Sequence, residues 1–199
     1  MATRKKTEER QGEIADAALR IIGTRGISSL TVAALAEELG ISGGALYRHF
    51  ASTDAILEAV AARAVELLAA SLPSEELPPL EWLERFVHTR SHTVAGHVGL
   101  ARLIFSDQLA MAMPEAALDL LRGAVKTTAM AIARALSQAQ AKGEVRSDIE
   151  AQDLVPIVMG TVQLLALQRA GMVMARAANT TRAWATLRTL LSAPAGGAR

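Results

Sequence analysis

The sequence predicts an all-helical protein, and three observations carry that expectation. Alanine, leucine, glutamate and arginine dominate the 199 residues, and all four favour helix. Apolar residues recur at steps of three and four along most of the chain, the period of a single helix face. No stretch of useful length alternates apolar and polar residues as a half-buried strand does.

The elements follow in order. Ile14, Ala17, Ala18, Ile21 and Ile22 share one face of a helix over residues 8–24, which Gly26 ends. Ser28 and Ser29 form a turn. Thr31 stands before Val32-Ala33-Ala34-Leu35 as an N-cap, and Gly40 closes that second helix after Leu39. Ile41-Ser42-Gly43-Gly44 reads as a turn into a third helix carrying Ala45 to Phe50. Ser52 starts a fourth, with Ile56, Leu57, Val60, Ala61, Ala64, Leu67 and Leu68 on its apolar side. Three of the six prolines fall between Leu72 and Pro79, the clearest break in the chain. Helices are expected beyond it over residues 80–96, 98–110, 115–142, 149–170 and 180–192, punctuated by Pro114 and Gly143.

Composition narrows the function. Apolar residues make up 51% of the chain, enough for a large core. The absence of cysteine excludes a disulfide framework, a thiolate nucleophile and a thiolate metal site, and suits a reducing cytoplasm. Lys and Arg number 21 against 20 Asp and Glu, so a globally basic nucleic-acid coat is excluded while a local basic site is not. Aromatic residues at 3% argue against a single-strand binder built on stacking platforms. The stretch Leu154–Gln168, interrupted by Pro156, Gly160 and Gln163, falls short of the roughly 20 apolar residues a membrane span needs and reads as a buried helix. The first twelve residues are polar and charged, without the apolar run of a signal peptide, and the expected location is cytoplasmic.

Charge is unevenly laid out. Arg4, Lys5, Lys6 and Arg10 make a short basic arm that either lies along a phosphate backbone or forms a solvated, disordered tail. Residues 169–199 carry five basic side chains and no acidic one, among them Arg169, Arg176, Arg182 and Arg188. The segment from Pro194 to Arg199 reads as unstructured.

Thr31–Phe50 fits a helix-turn-helix on steric grounds. Two short helices crossing steeply need a small residue at their contact, and Ala36 supplies it. The turn needs a residue that tolerates a left-handed backbone, and Gly40 supplies that. Leu35, Leu39, Ile41 and Leu46 anchor both helices to a common core. The second helix of the pair would enter the major groove with Ser42, Gly43, Gly44, Ala45, Tyr47, Arg48 and His49 exposed. Tyr47 and His49 offer phosphate donors, and Arg48 reaches phosphate or a guanine edge. Spacing alone leaves a plain helical hairpin with a glycine turn as the alternative.

Here the chain resembles the TetR family of transcriptional regulators. The run from Thr31 to Phe50, ending in Leu46-Tyr47-Arg48-His49-Phe50, is similar to that family's N-terminal signature, and the likeness extends over residues 8–57. The resemblance implies a homodimer that binds a palindromic double-stranded operator, usually as a repressor, and that a small molecule in a C-terminal domain releases. It implies an N-terminal three-helix helix-turn-helix DNA-binding domain with its basic arm over residues 1–51. A helical ligand-binding and dimerisation domain would follow over 52–193, then a tail over 194–199. Carried over by position, Thr31 caps the second helix and touches phosphate, Tyr47 and His49 contact phosphate, and Ser42, Gly44, Ala45 and Arg48 face the groove. One departure stands out: many members have a backbone-contacting lysine after the signature, and Ala51-Ser52-Thr53-Asp54 has none. Ser52, Thr53 or the helix N-terminus remains to meet that phosphate.

The rest of the chain offers weaker candidates. Phe86, Leu103, Phe105, Met111, Met113, Met130, Met159 and Leu164 either line a site for a largely apolar effector or are core. Leu164, Leu165, Leu167, Trp184, Leu187, Leu190 and Leu191, on the last two helices, are candidates for a four-helix dimer interface, the alternative being core within one chain. Glu84, His88 and His92 share a helix face at metal-ligand spacing, though a solvated or hydrogen-bonded polar face is the plainer reading. No metal or cofactor is expected. Without cysteine, a Walker-type loop or Gly-x-Ser-x-Gly, catalysis is not expected either. Two rivals stay open: a helix-turn-helix protein that senses no small molecule, and an interaction bundle that has lost DNA binding.

Overall fold

The computed structural model describes residues 2–105, 111–173 and 179–193, with side chains from Glu9 onward except that of Phe105. Among the described residues the regular elements are all helical. They are α1 (Ala2–Arg25), a 3-10 turn (Ile27–Ser29), α2 (Val32–Leu39), α3 (Gly43–Leu46), α4 (Thr53–Ala70), α5 (Pro79–Gly96), α6 (Val98–Phe105), α7 (Glu115–Ala141), α8 (Ala151–Arg169) and α9 (Thr180–Leu191). None of these helices is long and apolar enough to cross a membrane. The terminal segment 194–199, residues 106–110, Arg176 and the side chains of Arg4, Lys5 and Lys6 lie outside the described residues.

The chain packs as two compact units, Met1–Leu67 with Gly96–Ala124, and Leu68–Ala95 with Val125–Arg199. In the first unit, Ile14, Ala17, Ala18, Ile21 and Ile22 of α1 are buried, as the period-3.6 reading expects. Ile56, Leu57, Val60, Ala61 and Ala64 of α4 and Leu100, Ala101 and Leu103 of α6 are buried in the same unit. Asp16 of α1 receives Arg63 of α4 through Nε at 2.8 Å and Nη2 at 3.3 Å. Glu38 of α2 receives Arg20 and Arg25 of α1 at 3.3 and 3.4 Å.

The sequence reading divides the chain at residue 51, whereas compact packing also groups residues 52–67 and 96–124 with the first three helices. Within the first unit a pair of glycines brings α1 and α6 together. A Cβ on Gly99 would lie 1.9 Å from the Leu19 carbonyl oxygen, and one on Gly23 would lie 2.6 Å from the Gly99 nitrogen. Backbones of α1 and α6 therefore touch directly, which side chains at either position would prevent.

In the second unit, Trp82, Leu83, Phe86 and Val87 of α5 join Ile132 and Leu136 of α7. Leu154, Val155, Val158, Val162 and Leu165 of α8 and Trp184, Leu187 and Leu191 of α9 complete this core. Gln140 donates to the carbonyls of Arg146 and Ile149, both at 2.8 Å, and the Arg146 N–H bonds the Leu191 carbonyl at 2.7 Å. These bonds hold the α7–α8 turn against the end of α9.

Two helix boundaries differ from expectation. Helix α1 begins at Ala2 rather than near residue 8, because residues 2–10 contain no glycine or proline to stop it. The third helix ends at Leu46, and Tyr47, Arg48 and His49 form turns. The His49 N–H bonds the Leu46 carbonyl at 2.9 Å, the tighter spacing with which helix ends close. This brings Phe50 into the core and leaves Ser52 to begin α4.

Candidate nucleic-acid interface

The site is built by local hydrogen bonds that the sequence announces. Thr31 has an extended backbone, and its side chain accepts from the Ala34 N–H at 3.1 Å, capping α2. At the other end Gly40 takes φ 65° and ψ 33°. Its N–H bonds the Glu37 carbonyl at 3.1 Å, and the Ile41 N–H bonds the Ala36 carbonyl at 2.9 Å, the paired bonds of a glycine helix stop. Two residues on, the Ser42 side chain accepts from the Ala45 N–H at 3.2 Å and opens α3. Leu35, Ala36 and Leu46 are buried, while Leu39 and Ile41 are half-buried. Gly40 thus takes the left-handed backbone the sequence asks of it, and Ala36 is buried.

This packing leaves a defined face. Thr31, Ser42, Gly44, Tyr47 and Arg48 are exposed, Tyr47 by 53%. Gly43, Ala45 and His49 are half-buried. Neither Tyr47 nor Arg48 has a side-chain partner among the described residues, so the phenol and the guanidinium are both available to a ligand. A Cβ on Gly44 would meet nothing within 4 Å, so internal packing does not demand glycine there.

His49 is different from its neighbours. Its Nδ1 is buried and has no hydrogen-bond partner among the described residues. Its carbonyl accepts from Gln11 Nε2 at 3.0 Å, which ties the end of the reading segment to α1. The sequence reading missed Gln11, Asp16, Arg63 and Glu38, which fix α1 to the motif and to α4. Their partners lie 13 to 47 residues away, and no local spacing marks them. At the start of α4, Ser52 accepts from the Ala55 N–H at 3.1 Å, which leaves its own O–H free to donate where the lysine is missing.

Residues 14–60, which contain this geometry, match the family described as bacterial regulatory proteins, tetR family, and residues 78–188 match the SbtR-like transcriptional regulator C-terminal domain. The chain belongs to the TetR family. It is a DNA-binding transcriptional regulator and not an enzyme. The UidR regulator of Escherichia coli strain K12 is 28% identical over 138 residues, covering 68% of this chain and 69% of that protein. Among solved structures, AibR in complex with isovaleryl coenzyme A and operator DNA aligns with a TM-score of 0.73 at 16% identity, over 92% of this chain and 97% of that one. The ketosteroid regulator KstR2 of Mycobacterium tuberculosis gives 0.72 at 18% identity, over 92% and 95%. A putative regulator from Saccharomonospora viridis in complex with choline gives 0.73 at 20% identity, over 92% and 95%.

The structure separates the remaining candidates of this TetR-family chain. Leu103 and Met113 are buried in the first unit, Phe86 is buried in the second, and Met159 packs at the edge of the second core. Met111, Met130 and Leu164 are exposed on the single chain, Met111 by 89%. Helical period explains Met130: Ala129 and Ala131 pack against the core, and Met130 lies on the outer side of α7. The side chain of Phe105 lies outside the described residues. Of the interface candidates, Trp184, Leu187 and Leu191 sit in the chain's own core on the side of α9 that meets α8, and Leu167 is half-buried. Leu164 and Leu190 are exposed and Leu165 is buried; Ile157, which the sequence reading did not single out, is exposed as well. Glu84 and His92 are exposed, His88 is half-buried, and Arg169 Nη2 donates to His92 Nδ1 at 3.2 Å. Among the described residues no three His, Asp or Glu side chains gather to hold a metal ion.

Proposed function

We propose that this TetR-family regulator is a cytoplasmic repressor that binds a palindromic operator as a homodimer and is released by a small, largely apolar effector. The observation that carries the DNA half is Tyr47 and Arg48, exposed and without side-chain partners among the described residues, in the turn that follows α3, whose start Ser42 caps. Thr31, Ser42, Gly43, Gly44, Ala45, Tyr47, Arg48 and His49 are the proposed DNA contacts. Arg48 is the side chain among them with the reach and the two-donor geometry to read a guanine edge. Gly43, Gly44 and Ala45 admit close approach to thymine methyls and sugar, so groove shape carries the rest of the specificity.

The homodimer draws on α8 and α9. Ile157, Thr161, Leu164 and Gln168 recur at helical spacing along α8, and Ile157 and Leu164 are each at least half exposed. Leu190 is equally exposed on α9, beside a shallow groove of about 400 Å³ lined by Ile157, Leu165 and Leu187. Two such helix pairs make a self-complementary four-helix contact. Release by a small molecule draws support from relatives solved with isovaleryl coenzyme A and with choline. Functionally, the reading head is residues 1–51 and the regulatory and dimerisation part is 52–193.

Footprinting of the DNA upstream of its own and neighbouring genes, at stated salt, tests this. A protected inverted repeat, lost in Arg48→Ala, is expected. A folded dimer that protects nothing at low salt would remove the operator reading.

A further inference from the structure

Three arginines of this chain invite comparison. Arg63 holds Asp16, and Arg146 holds Asp148 with Nε at 2.8 Å and Nη2 at 2.7 Å. Both use the edge of the guanidinium formed by Nε and Nη2, whose parallel N–H bonds match the two oxygens of an oxyanion. Arg90 has no carboxylate on that edge among the described residues. Its Nη2 donates to the Leu68 carbonyl at 2.9 Å and reaches Thr128 Oγ1 only at 3.4 Å, and its Nε is buried with no partner among the described residues.

The surroundings make this arrangement costly. Arg90 is 6% exposed. Its Cζ lies 5.3 Å from the centre of the Phe86 ring, on which Trp82 stacks at 5.4 Å and 8°. Burial holds the guanidinium down to about 10, far enough above neutrality to keep it charged. A structural cap on the last turn of α4 does not require an arginine here. The Ser71 hydroxyl already donates to the same Leu68 carbonyl at 2.7 Å. A buried cation whose Nε has no partner among the described residues and whose Nη2 reaches Thr128 only at 3.4 Å, against an aromatic wall, is suited to a counterion that arrives from outside.

We propose that Arg90 is the anion-recognition residue of the effector site, and that the effector is an oxyanion carried on an apolar body. The oxyanion takes the Nε–Nη2 edge and displaces the long Thr128 contact, and the apolar body packs beside Phe86. This deepens the reading that a small molecule releases the regulator, and rests on it. A carboxylic acid and a phosphate ester share the required chemistry.

The test uses the full-length protein without DNA, titrated with decanoate, decyl phosphate and decanol, followed by calorimetry and tryptophan fluorescence. At least one of the two anions is expected to bind about tenfold or more tighter than decanol, and the tighter anion names the source. Arg90→Lys keeps the charge but loses the two-donor edge, and is expected to weaken that anion about tenfold or more. Decanol binding as tightly as both anions, neither anion binding, or folded Arg90→Lys binding unchanged would each overturn the proposal. The comparison with decanol needs no variant, so misfolding of Arg90→Lys does not shelter the idea. Operator release is read separately. Arg90-dependent anion binding that leaves operator affinity intact keeps the anion site and removes the release reading. Release by an uncharged ligand that is unaffected in Arg90→Lys keeps release and removes the anion site.

Discussion

Arg48 and Gly44 occupy the same short segment, yet the structure assigns them opposite kinds of sensitivity. Arg48 is exposed and unpartnered among the described residues, so truncating it removes a ligand contact and little else. Arg48→Ala is expected to keep the melting temperature and to lose about 1–3 kcal/mol of operator binding, concentrated at one base position. Competition footprinting against single-base operator variants checks this, and a uniform loss at every position would make Arg48 a phosphate contact instead. Gly44 carries its information by what is missing. Its Cβ position is open and the residue is exposed, so Gly44→Leu points its side chain away from the core and gains helix propensity, up to about 1 kcal/mol. The same leucine would stand between α3 and the groove floor. Unchanged or raised thermal stability with abolished operator binding is expected; a variant that binds normally would show that this face does not meet DNA.

At the scale of helices, the contact between α1 and α6 is the most demanding in the first unit. Gly99→Ala would set a methyl 1.9 Å from the Leu19 carbonyl, so the two backbones must part. A loss of about 1–3 kcal/mol is expected from such overpacking, read as a lower urea midpoint. Gly12→Ala, also on α1, meets nothing within 4 Å and is expected to stabilise by about 0.5–1 kcal/mol. Equal effects of the two substitutions would contradict the close approach. This contact also shows where sequence reading stops. Ile14, Ala17, Ala18, Ile21 and Ile22 were legible as one buried face because helical period is local. Thr31, Gly40 and Ser42 were legible because each side chain or backbone acts within four residues of itself. Gly99 was not, since nothing near it names Leu19 as its neighbour. Arg63 with Asp16 and Gln11 with the His49 carbonyl escaped for the same reason. Phe86, Met130 and Met159 were legible as apolar but not as separate environments, because their side of a helix depends on what packs there.

At the scale of the whole molecule, the proposed recognition of a palindromic operator would depend on a face far from the reading head in sequence. A palindromic site presents two half-sites about one helical turn, roughly 34 Å, apart, and only a dimer places two copies of α3 at that spacing. The apolar residues that α8 and α9 leave open, Ile157, Leu164 and Leu190, are the surface a second copy would cover. Their neighbours Trp184, Leu187 and Leu191 point the other way, into the core. Substitutions in the two sets should therefore part company. Leu164→Asp buries a charge only in the dimer, so it is expected to yield a folded monomer by sedimentation. It should lose operator binding although every DNA contact is intact, because the second half-site's share of the affinity disappears. Trp184→Ala opens a cavity within each chain, and about 3–5 kcal/mol of stability should go with it, unfolding monomer and dimer alike. If Leu164→Asp stayed dimeric with full operator affinity, α8 would not be the contact. The exposed stripe would then need another occupant, and the half-sites would have to be bridged from a different surface.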